Sequence, residues 1–324
     1  MNPKVILVVS EGPMAASVVA GLVEQFGYLQ LPFRRFNLLG MSADPAKAKQ
    51  EFLQTLKKKS DFFSKPRNQG LRSAHERSGY PMITRVNHEK FVTDLQKLES
   101  RVQDLTFPEL YDSARKAAGN SLSYKTLPEN IKGHVELITS INDDVSASAI
   151  KNFRKVFPGS KIIFMRRNFI DWAESLAAFR FNSAGQRSKY LFSDLVNRFG
   201  IYERSIQKGE GVLHVNFDQI FQPSTDDFLV TLCEFLADGS KTSNLDERDL
   251  DLFGQMIPFQ AATTVADFRG RYFSGFTLRL FDWLTPNEAA KKWSAKTPKW
   301  KSAVIFALYL AELCRYHCRD KTKI

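Results

Sequence analysis

Four short apolar runs predict strands, and each is followed by a helical pattern of apolar positions. The runs span Val5 to Val9, Val135 to Ile141, Lys161 to Met165 and Gly211 to Phe217. The helical patterns after them span, in the same order, Ala15 to Phe26, Val145 to Val156, Ile170 to Phe179 and Asp226 to Leu236. Near-continuous apolar runs are typical of strands buried on both faces. The alternation predicts an α/β fold of three layers, αβα, with a central parallel sheet.

The first, third and fourth runs are expected to be inner strands. A polar, Lys-rich segment from about 43 to 127 has a helical period and a loop-like middle from Ser64 to Gly70. We interpret it as a helical insertion between the first two strands, forming part of a lid over the site. Residues from about 286 to 324 are predicted to form a helical tail. The interpretation is a single domain over residues 1–324, a length that can bury a large core.

The formal net charge of +11 indicates an anionic partner, such as nucleic acid, an acidic glycan, a membrane surface or a nucleotide. Lys and Arg are spread along the chain, so a basic but merely solvated surface is the alternative. The three cysteines, Cys233, Cys314 and Cys318, are an odd number and do not indicate a disulfide framework. Cys314, His317 and Cys318 are too few for a zinc site, and no metal is expected.

The amino-terminal residues do not have the pattern of a secretory signal, because the apolar run that begins at Val5 is too short. No stretch reaches the ~20 apolar residues that a membrane-spanning helix requires. The longest candidate, Ala303 to Cys314, is expected to be a helix packed on the core, with a membrane-surface anchor as the alternative. A cytoplasmic protein is expected.

The first predicted strand runs directly into the segment Ser10 to Ser17 and then into a helix. A strand's carboxyl end that meets a helix N-terminus is a favourable place for a phosphate, because free N–H groups and the helix dipole attract an anion. The residues expected to bind it there are Gly12, Ala15, Ala16 and Ser17. Only Ser17 fits the spacing of an ATP-hydrolysing phosphate loop, since Ala16 stands where that loop has Lys.

The third predicted strand is followed by Arg167, and Ser175 lies two helical turns further on. The guanidinium can bind a phosphate through two hydrogen bonds, and a hydroxyl on the same helix face can add a third. The alternative is an ion pair between Arg167 and Asp171, with Ser175 as an ordinary helix serine. Arg166 is expected to point to the other side of the strand.

Three blocks of the chain resemble the bacterial sulfotransferases. Ser17 to Gly27 is similar to their first helix, and Phe157 to Ser175 closely resembles their 3′-phosphate signature. The third block, Val212 to Ile220 with Phe228 to Leu236, resembles a strand and helix of the same family. Two departures stand out: Phe169 replaces a proline of the signature, and Pro13 replaces the cation of the phosphosulfate loop.

The resemblance implies a nucleotide-binding fold of the P-loop type and 3′-phosphoadenosine-5′-phosphosulfate as sulfuryl donor. It also implies a base near the acceptor, for which Asp143 is the leading residue by position. Arg34 or Arg35 can replace the missing loop cation, and His75 and His88 are further candidates for the base. A fainter match around Arg269, Gly270 and Arg271 implies a loop that closes over the 3′-phosphate.

Three functions are therefore open. The first is transfer of a sulfuryl group to a hydroxyl acceptor, either a carbohydrate or a small molecule. The second is a non-catalytic homologue that binds the nucleotide, and the third is a polyanion-binding protein. No nucleic-acid-binding motif is recognised, so nucleic acid is the least expected partner.

Overall fold

The computed structural model describes a mixed set of helices and strands around one sheet. The described residues are 3–12, 14–24, 26–30, 38–42, 44–65, 70–71, 84–122, 131–138, 147–169, 171–173, 176, 192–206, 208–221, 225–236, 250–251 and 256–257. The strands are β1 (Lys4–Val9), β2 (Tyr28–Gln30), β3 (Gly70–Leu71), β4 (Thr84–Arg85), β5 (Gly133–Ile138), β6 (Lys161–Arg166), β7 (Val212–Asn216), β8 (Leu250–Asp251) and β9 (Met256–Ile257). The helices are α1 (Ala16–Glu24), α2 (Pro45–Phe63), α3 (His88–Glu99), α4 (Phe107–Asn120), α5 (Ala147–Val156), α6 (Phe192–Ser205), α7 (Phe217–Phe221) and α8 (Thr225–Leu236).

A parallel five-stranded sheet, in the order β2-β5-β1-β6-β7, forms the centre of the molecule. The apolar run from Val5 to Val9 is fully buried in its middle strand, and Ile162 to Met165 of β6 are buried equally well. The predicted α/β class with a central parallel sheet is confirmed. Two further antiparallel pairs, β3 with β4 and β8 with β9, are only two residues long per strand.

Strand positions differ from expectation in two places. β7 ends the sheet as the structure describes it and pairs with β6 alone, so among the described residues it is not an inner strand. Its residues Val212 to His214 are accordingly only half-buried. The short strand β2 was not predicted, because three residues are too few for a periodic signal. The helical segment therefore follows β2 rather than β1.

Helices cover both faces of the sheet because successive connections between strands run first one way and then the other way along the strand order. From β1 the chain passes over to β2, and it then returns through β5 and β6 towards β7. Right-handed crossovers place α1 on one face and the helices of the return path on the other. Accordingly α1 packs on β2 and β5, whereas α4 contacts β5 through the side chains of His134 and Glu136.

The described part of the 43–127 segment forms part of the core. α2 begins at Pro45 after the N-cap Asp44, and α4 begins with a capping box between Thr106 and Glu109. Edge-on ring contacts then join α2, α4 and the end of α5, through Phe52, Phe107, Tyr111 and Phe157. These helices form a packed layer in the described part of the chain.

Candidate functional site

The carboxyl ends of β1 and β6 lie side by side in the centre of the sheet. Their ladder runs from Ile6 opposite Lys161 to Val9 opposite Phe164. The strand order also reverses at β1, since the chain leaves it in one direction and later continues in the other. Ligands of open α/β sheets bind outside the carboxyl ends at such a reversal. The loop after β1 and the segment after β6 are thus neighbours at this edge.

The loop after β1 is held in a tight left-handed shape. Gly12 has φ +70° and Ala15 has φ +58°, a region that costs ~1–2 kcal/mol for a residue with a side chain. The N–H of Ser10 donates to the carbonyl of Ile138 at 2.7 Å, which continues the pairing with β5 beyond the end of the strand. Met14 is fully buried and anchors the loop in the core.

Helix α1 begins directly after this loop, without a side-chain cap. The carbonyl of Ala15 accepts from the N–H groups of Val18 and Val19, at 3.0 and 3.2 Å. Alanine at the N-cap has no side-chain oxygen that could accept from the first N–H groups of the helix, which belong to Ala16 and Ser17. These N–H groups carry the positive end of the helix dipole. The first turn of α1 can therefore receive an anion.

Two side chains from outside the loop hold Glu11 in place. Its carboxylate is buried and accepts a hydrogen bond from Nη2 of Arg198 on α6. Its backbone oxygen accepts from Nε1–H of Trp172, which is fully buried in the helical turn after β6. A β-carbon at position 12 would lie 3.5 Å from the same Nε1. The negative charge that Glu11 brings to the loop is therefore paired with a cation.

Arg167 is positioned by an aromatic ring directly after the neighbouring strand β7. The register pairs Arg166 with Asn216, so the next residues, Arg167 and Phe217, are neighbours. The guanidinium carbon of Arg167 lies 3.7 Å from the centre of the Phe217 ring. A stacked guanidinium keeps its N–H groups in the plane, at the edge, where they can bind a phosphate or carboxylate.

Arg166 points away from this position, as expected. Its Nη2 donates to Oε2 of Glu203 on α6 at 2.9 Å, and the Glu203 side chain is only 7% exposed. Alternation along β6 explains why adjacent arginines have different partners. Arg166 thus serves as an ion pair that attaches α6 to the end of β6.

Tyr202 of α6 lies between the ends of the two central strands. Its hydroxyl is 3.0 Å from the carbonyl oxygen of Val9 and also contacts that of Met165, and it can donate to either. The side chain is fully buried. Burial, reinforced by the charge of Glu203, raises the pKa of Tyr202 well above its ordinary value. The phenol therefore stays protonated and remains a donor.

The structure thus brings five of the expected site residues to one edge of the sheet. They are Gly12, Ala15, Ala16 and Ser17 after β1, and Arg167 after β6. The other expected residues lie outside the described part of the chain: Arg34, Arg35, His75, Asp143, Ser175, Arg269, Gly270 and Arg271. His88 lies in α3, where Nε2 is 3.1 Å from the carbonyl oxygen of Ser60, and has a local structural role.

Four residues at this edge of the sheet were not predicted from the sequence. Phe217 could have been found, because the two motifs place it one position beyond the pair at the ends of adjacent strands. Trp172 lies inside the matched signature but is a variable position of it. Arg198 and Tyr202 carry no sequence signal, since their partners, Glu11 and Val9, are almost two hundred residues away.

A second group of charged and polar side chains, most of them buried, lies between α4 and β5, and we call it the core cluster. It consists of Tyr111, Asp112, Arg115, His134 and Glu136. The carboxylate of Glu136 accepts from Tyr111 at 2.7 Å and lies 3.3 Å from Nη1 of Arg115, whose Nη2 donates to the carbonyl of Val135. Its members contact the middle of β5, not the carboxyl ends of the strands.

Protonation in the core cluster follows from burial. Burial lowers the pKa of His134, although the hydrogen bond with Asp112 at 2.7 Å opposes this. Nδ1 of His134 is buried without a hydrogen-bond partner in the described part of the chain, which suits a neutral ring with its proton on Nε2. Burial alone would raise the pKa of Asp112, but hydrogen bonds from His134 and Lys116 lower it.

Among the described residues, no three His, Cys, Asp or Glu side chains are grouped in a way that could hold a metal ion. Within the same ranges, no helix has the length and apolar character needed to cross a bilayer.

No protein-family model and no curated protein matches the chain. Similar solved structures include the sulfotransferase domain of the Synechococcus PCC 7002 olefin synthase (13% identity, 92% of this chain, 97% of that chain, TM-score 0.43). Others are the sulfotransferase domain of the curacin biosynthetic pathway (12%, 87%, 98%, 0.36) and sulfotransferase STF1 of Mycobacterium tuberculosis H37Rv (12%, 82%, 72%, 0.36). Likenesses with TM-scores below 0.5 establish neither activity nor ligand.

Proposed function

We propose that the chain binds 3′-phosphoadenosine-5′-phosphosulfate at the carboxyl edge of β1 and β6 and transfers its sulfuryl group to a hydroxyl acceptor. The observation that carries this proposal is the stacking of Arg167 on Phe217, 3.7 Å from the ring centre. The stack holds a cation directly after β6, the strand that pairs with β1. In this proposal two anion-binding groups bind one ligand, which carries phosphates at the 5′ and 3′ positions of its ribose.

In this proposal the loop after β1 receives the 5′ end of the nucleotide. The first N–H groups of α1, at Ala16 and Ser17, bind the 5′-phosphate, and Gly12 allows its close approach. Because Arg198 pairs with the carboxylate of Glu11, the loop presents no unpaired negative charge to the ligand. Arg167, together with Ser175, binds the 3′-phosphate, and the segment with Arg269, Gly270 and Arg271 closes over it.

The transfer step follows from the chemistry of the donor. The acceptor hydroxyl oxygen attacks sulfur, the bond between sulfur and the bridging phosphate oxygen breaks, and adenosine 3′,5′-bisphosphate leaves. Asp143 takes the proton from the acceptor as general base. A cation must meet the negative charge that develops on the bridging oxygen, and Arg34 or Arg35 supplies it.

A binder without turnover is the second candidate, and one feature of the chain favours it. The loop positions where sulfotransferases carry a cation and a hydroxyl hold Pro13 and Ala16 here. Losing such a group commonly costs ~3–4 kcal/mol of transition-state stabilisation. Incubation with a donor labelled in its sulfuryl group, and with sugar and phenol acceptors, separates the two candidates. An enzyme yields labelled acceptor, whereas a binder retains nucleotide affinity without transfer.

Calorimetry on Arg167→Ala tests the binding part of the proposal. A charge-assisted hydrogen bond contributes ~1.5–3 kcal/mol, so affinity for adenosine 3′,5′-bisphosphate should fall about ten-fold or more, with 5′-AMP nearly unchanged. The matched control is Arg154→Ala, which removes the same charge from the amino end of the sheet, where Arg154 donates to the carbonyl of Glu210. Equal losses for the two nucleotides in Arg167→Ala would show that Arg167 does not bind the 3′-phosphate.

A further inference from the structure

Helix α6 contacts both sides of the proposed nucleotide site through three neighbouring residues, which we call the α6 brace: Arg198, Tyr202 and Glu203. Arg198 holds Glu11 in the loop after β1. Glu203 holds Arg166, the residue directly before Arg167, at 2.9 Å. Tyr202 lies between them, and its hydroxyl contacts a backbone carbonyl near the carboxyl end of each strand. One helix therefore contacts a neighbour of each of the two anion-binding groups.

The contact made by Tyr202 comes where the strands stop pairing with each other. The last backbone pair between β1 and β6 is Val9 with Phe164, and the hydroxyl reaches the carbonyls of Val9 and of Met165, one residue further on. A single hydroxyl hydrogen can serve only one carbonyl at a time, so the phenol is shared between the two strands. The hydroxyl therefore links the two strand ends just beyond the last pair of their ladder.

We propose that Tyr202 is a positioning residue that sets the spacing between the 5′- and 3′-phosphate sites, and thereby selects nucleotides phosphorylated at both positions. The inference deepens the proposed function and depends on it. A ligand held at two points gains from the second contact only if the two sites already have the spacing of its phosphates. If the brace is displaced, the bisphosphate should lose the affinity that it gains from the second contact, while each site keeps its affinity for a single phosphate.

Tyr202→Phe tests this with three ligands: 5′-AMP, 3′-AMP and adenosine 3′,5′-bisphosphate. We expect bisphosphate affinity to fall about five-fold and both monophosphates to change by less than about two-fold, since one hydrogen bond is lost away from the ligand. Tyr111→Phe is the matched control. It removes an equally buried hydroxyl, bonded to Glu136 at 2.7 Å in the core cluster, and should leave all three affinities unchanged.

A second variant keeps the test decisive if Tyr202→Phe folds poorly in thermal unfolding. Arg198→Met releases Glu11 and should weaken 5′-AMP and the bisphosphate together, with 3′-AMP unchanged, while Arg198→Lys should restore part of the loss. The inference is overturned if Tyr202→Phe lowers all three affinities equally, or if it leaves the bisphosphate preference intact. If the unaltered protein shows no bisphosphate preference, the proposed function itself fails, which is a different result.

Discussion

Two regions of the described structure each bury charged side chains together with a tyrosine, and the regions differ in their position on the sheet. The core cluster lies against the middle of β5, while the α6 brace lies at the carboxyl ends of β1 and β6. Each contains a fully buried tyrosine, Tyr111 or Tyr202, whose pKa is raised well above its ordinary value by burial. A displaced pKa therefore does not distinguish a site from a structural network. Position on the sheet does, because ligands collect at the carboxyl ends.

The comparison predicts that the core cluster affects stability and not binding. Glu136→Gln removes the carboxylate charge that lies 3.3 Å from Nη1 of Arg115, whose side chain is 1% exposed. Urea unfolding should show a loss of ~3–5 kcal/mol in the free energy of unfolding. The nucleotide affinities of the folded variant should match those of the unaltered protein.

The control for this variant is Glu99→Gln, which breaks the exposed pair with Lys57 at 3.3 Å. An exposed ion pair contributes ~1 kcal/mol at most, so that change should be small. A loss as small for Glu136→Gln would contradict the assigned role of the core cluster.

At the loop after β1, Trp172→Phe should weaken binding without discrimination between nucleotides. The change keeps an aromatic ring but removes the N–H that donates to Glu11. We expect affinity for 5′-AMP and for the bisphosphate to fall together, about five-fold, with ~1–2 kcal/mol lost in stability. Calorimetry and thermal unfolding measure the two effects.

Phe199→Leu serves as the control, because the Phe199 ring packs on Trp172 with ring centres 5.2 Å apart but has no N–H that could donate to Glu11. It should lower stability and leave both affinities in place. Selective loss of the bisphosphate in Trp172→Phe would show that the indole N–H does not support the 5′ site.

Phe217→Leu, unlike Trp172→Phe, should weaken binding of the bisphosphate selectively, and its effect should be smaller. The stack with Arg167 is worth ~0.5–1 kcal/mol at a partly exposed position, so bisphosphate affinity should fall about three-fold and 5′-AMP should be unaffected. The matched control is Phe235→Leu, which removes the ring 5.3 Å from Nζ of Lys161 at the amino end of β6. If both variants weaken the bisphosphate equally, stacking on Phe217 does not position Arg167.

The smallest expected effect is a pH dependence of stability that belongs to the core cluster. Because burial lowers the pKa of His134 below its ordinary value of 6.5, the unfolded chain binds more protons than the folded one as the pH falls through that value. Stability should therefore decrease with acidification below about pH 6.5. In His134→Gln the urea midpoint should vary less between pH 7 and pH 5, and an unchanged slope would contradict the assignment.

The fold could largely be predicted from the sequence because its central strands are continuous apolar runs. The runs Val5 to Val9 and Ile162 to Met165 have the length of a strand, and near-continuous apolar runs of that length are typical of strands buried on both faces, as both are here. The burial of β5 is harder to predict from its sequence, since His134 and Glu136 are as buried as its apolar residues. Its burial depends on partners in α4, which a pattern of single residues cannot show. The edge position of β7 likewise depends on which strands pair, not on its composition.

The candidate site could be predicted only in part, for a related reason. Arg167 and the loop before α1 lie within local motifs, so a single stretch of sequence suggests their chemistry. The brace residues Arg198 and Tyr202 act on backbone and carboxylate groups far away in the chain. Pairing of this kind follows from the tertiary arrangement of α6 over β1 and β6. The counter-charge of Glu11 in the loop, Arg198, likewise lies far away in the chain, where the sequence of the loop cannot show it.

Isothermal calorimetry of the unaltered protein with adenosine 3′,5′-bisphosphate, using 5′-AMP as the comparison, tests the central claim most directly. A phosphate bound by Arg167 at the carboxyl edge of β6 predicts a Kd for the bisphosphate at least about ten-fold below that for 5′-AMP. The preference should shrink as salt is raised, since the added contact is ionic. Equal affinity for the two nucleotides, or binding of neither, would contradict the assignment of a 3′-phosphonucleotide site to this edge of the sheet.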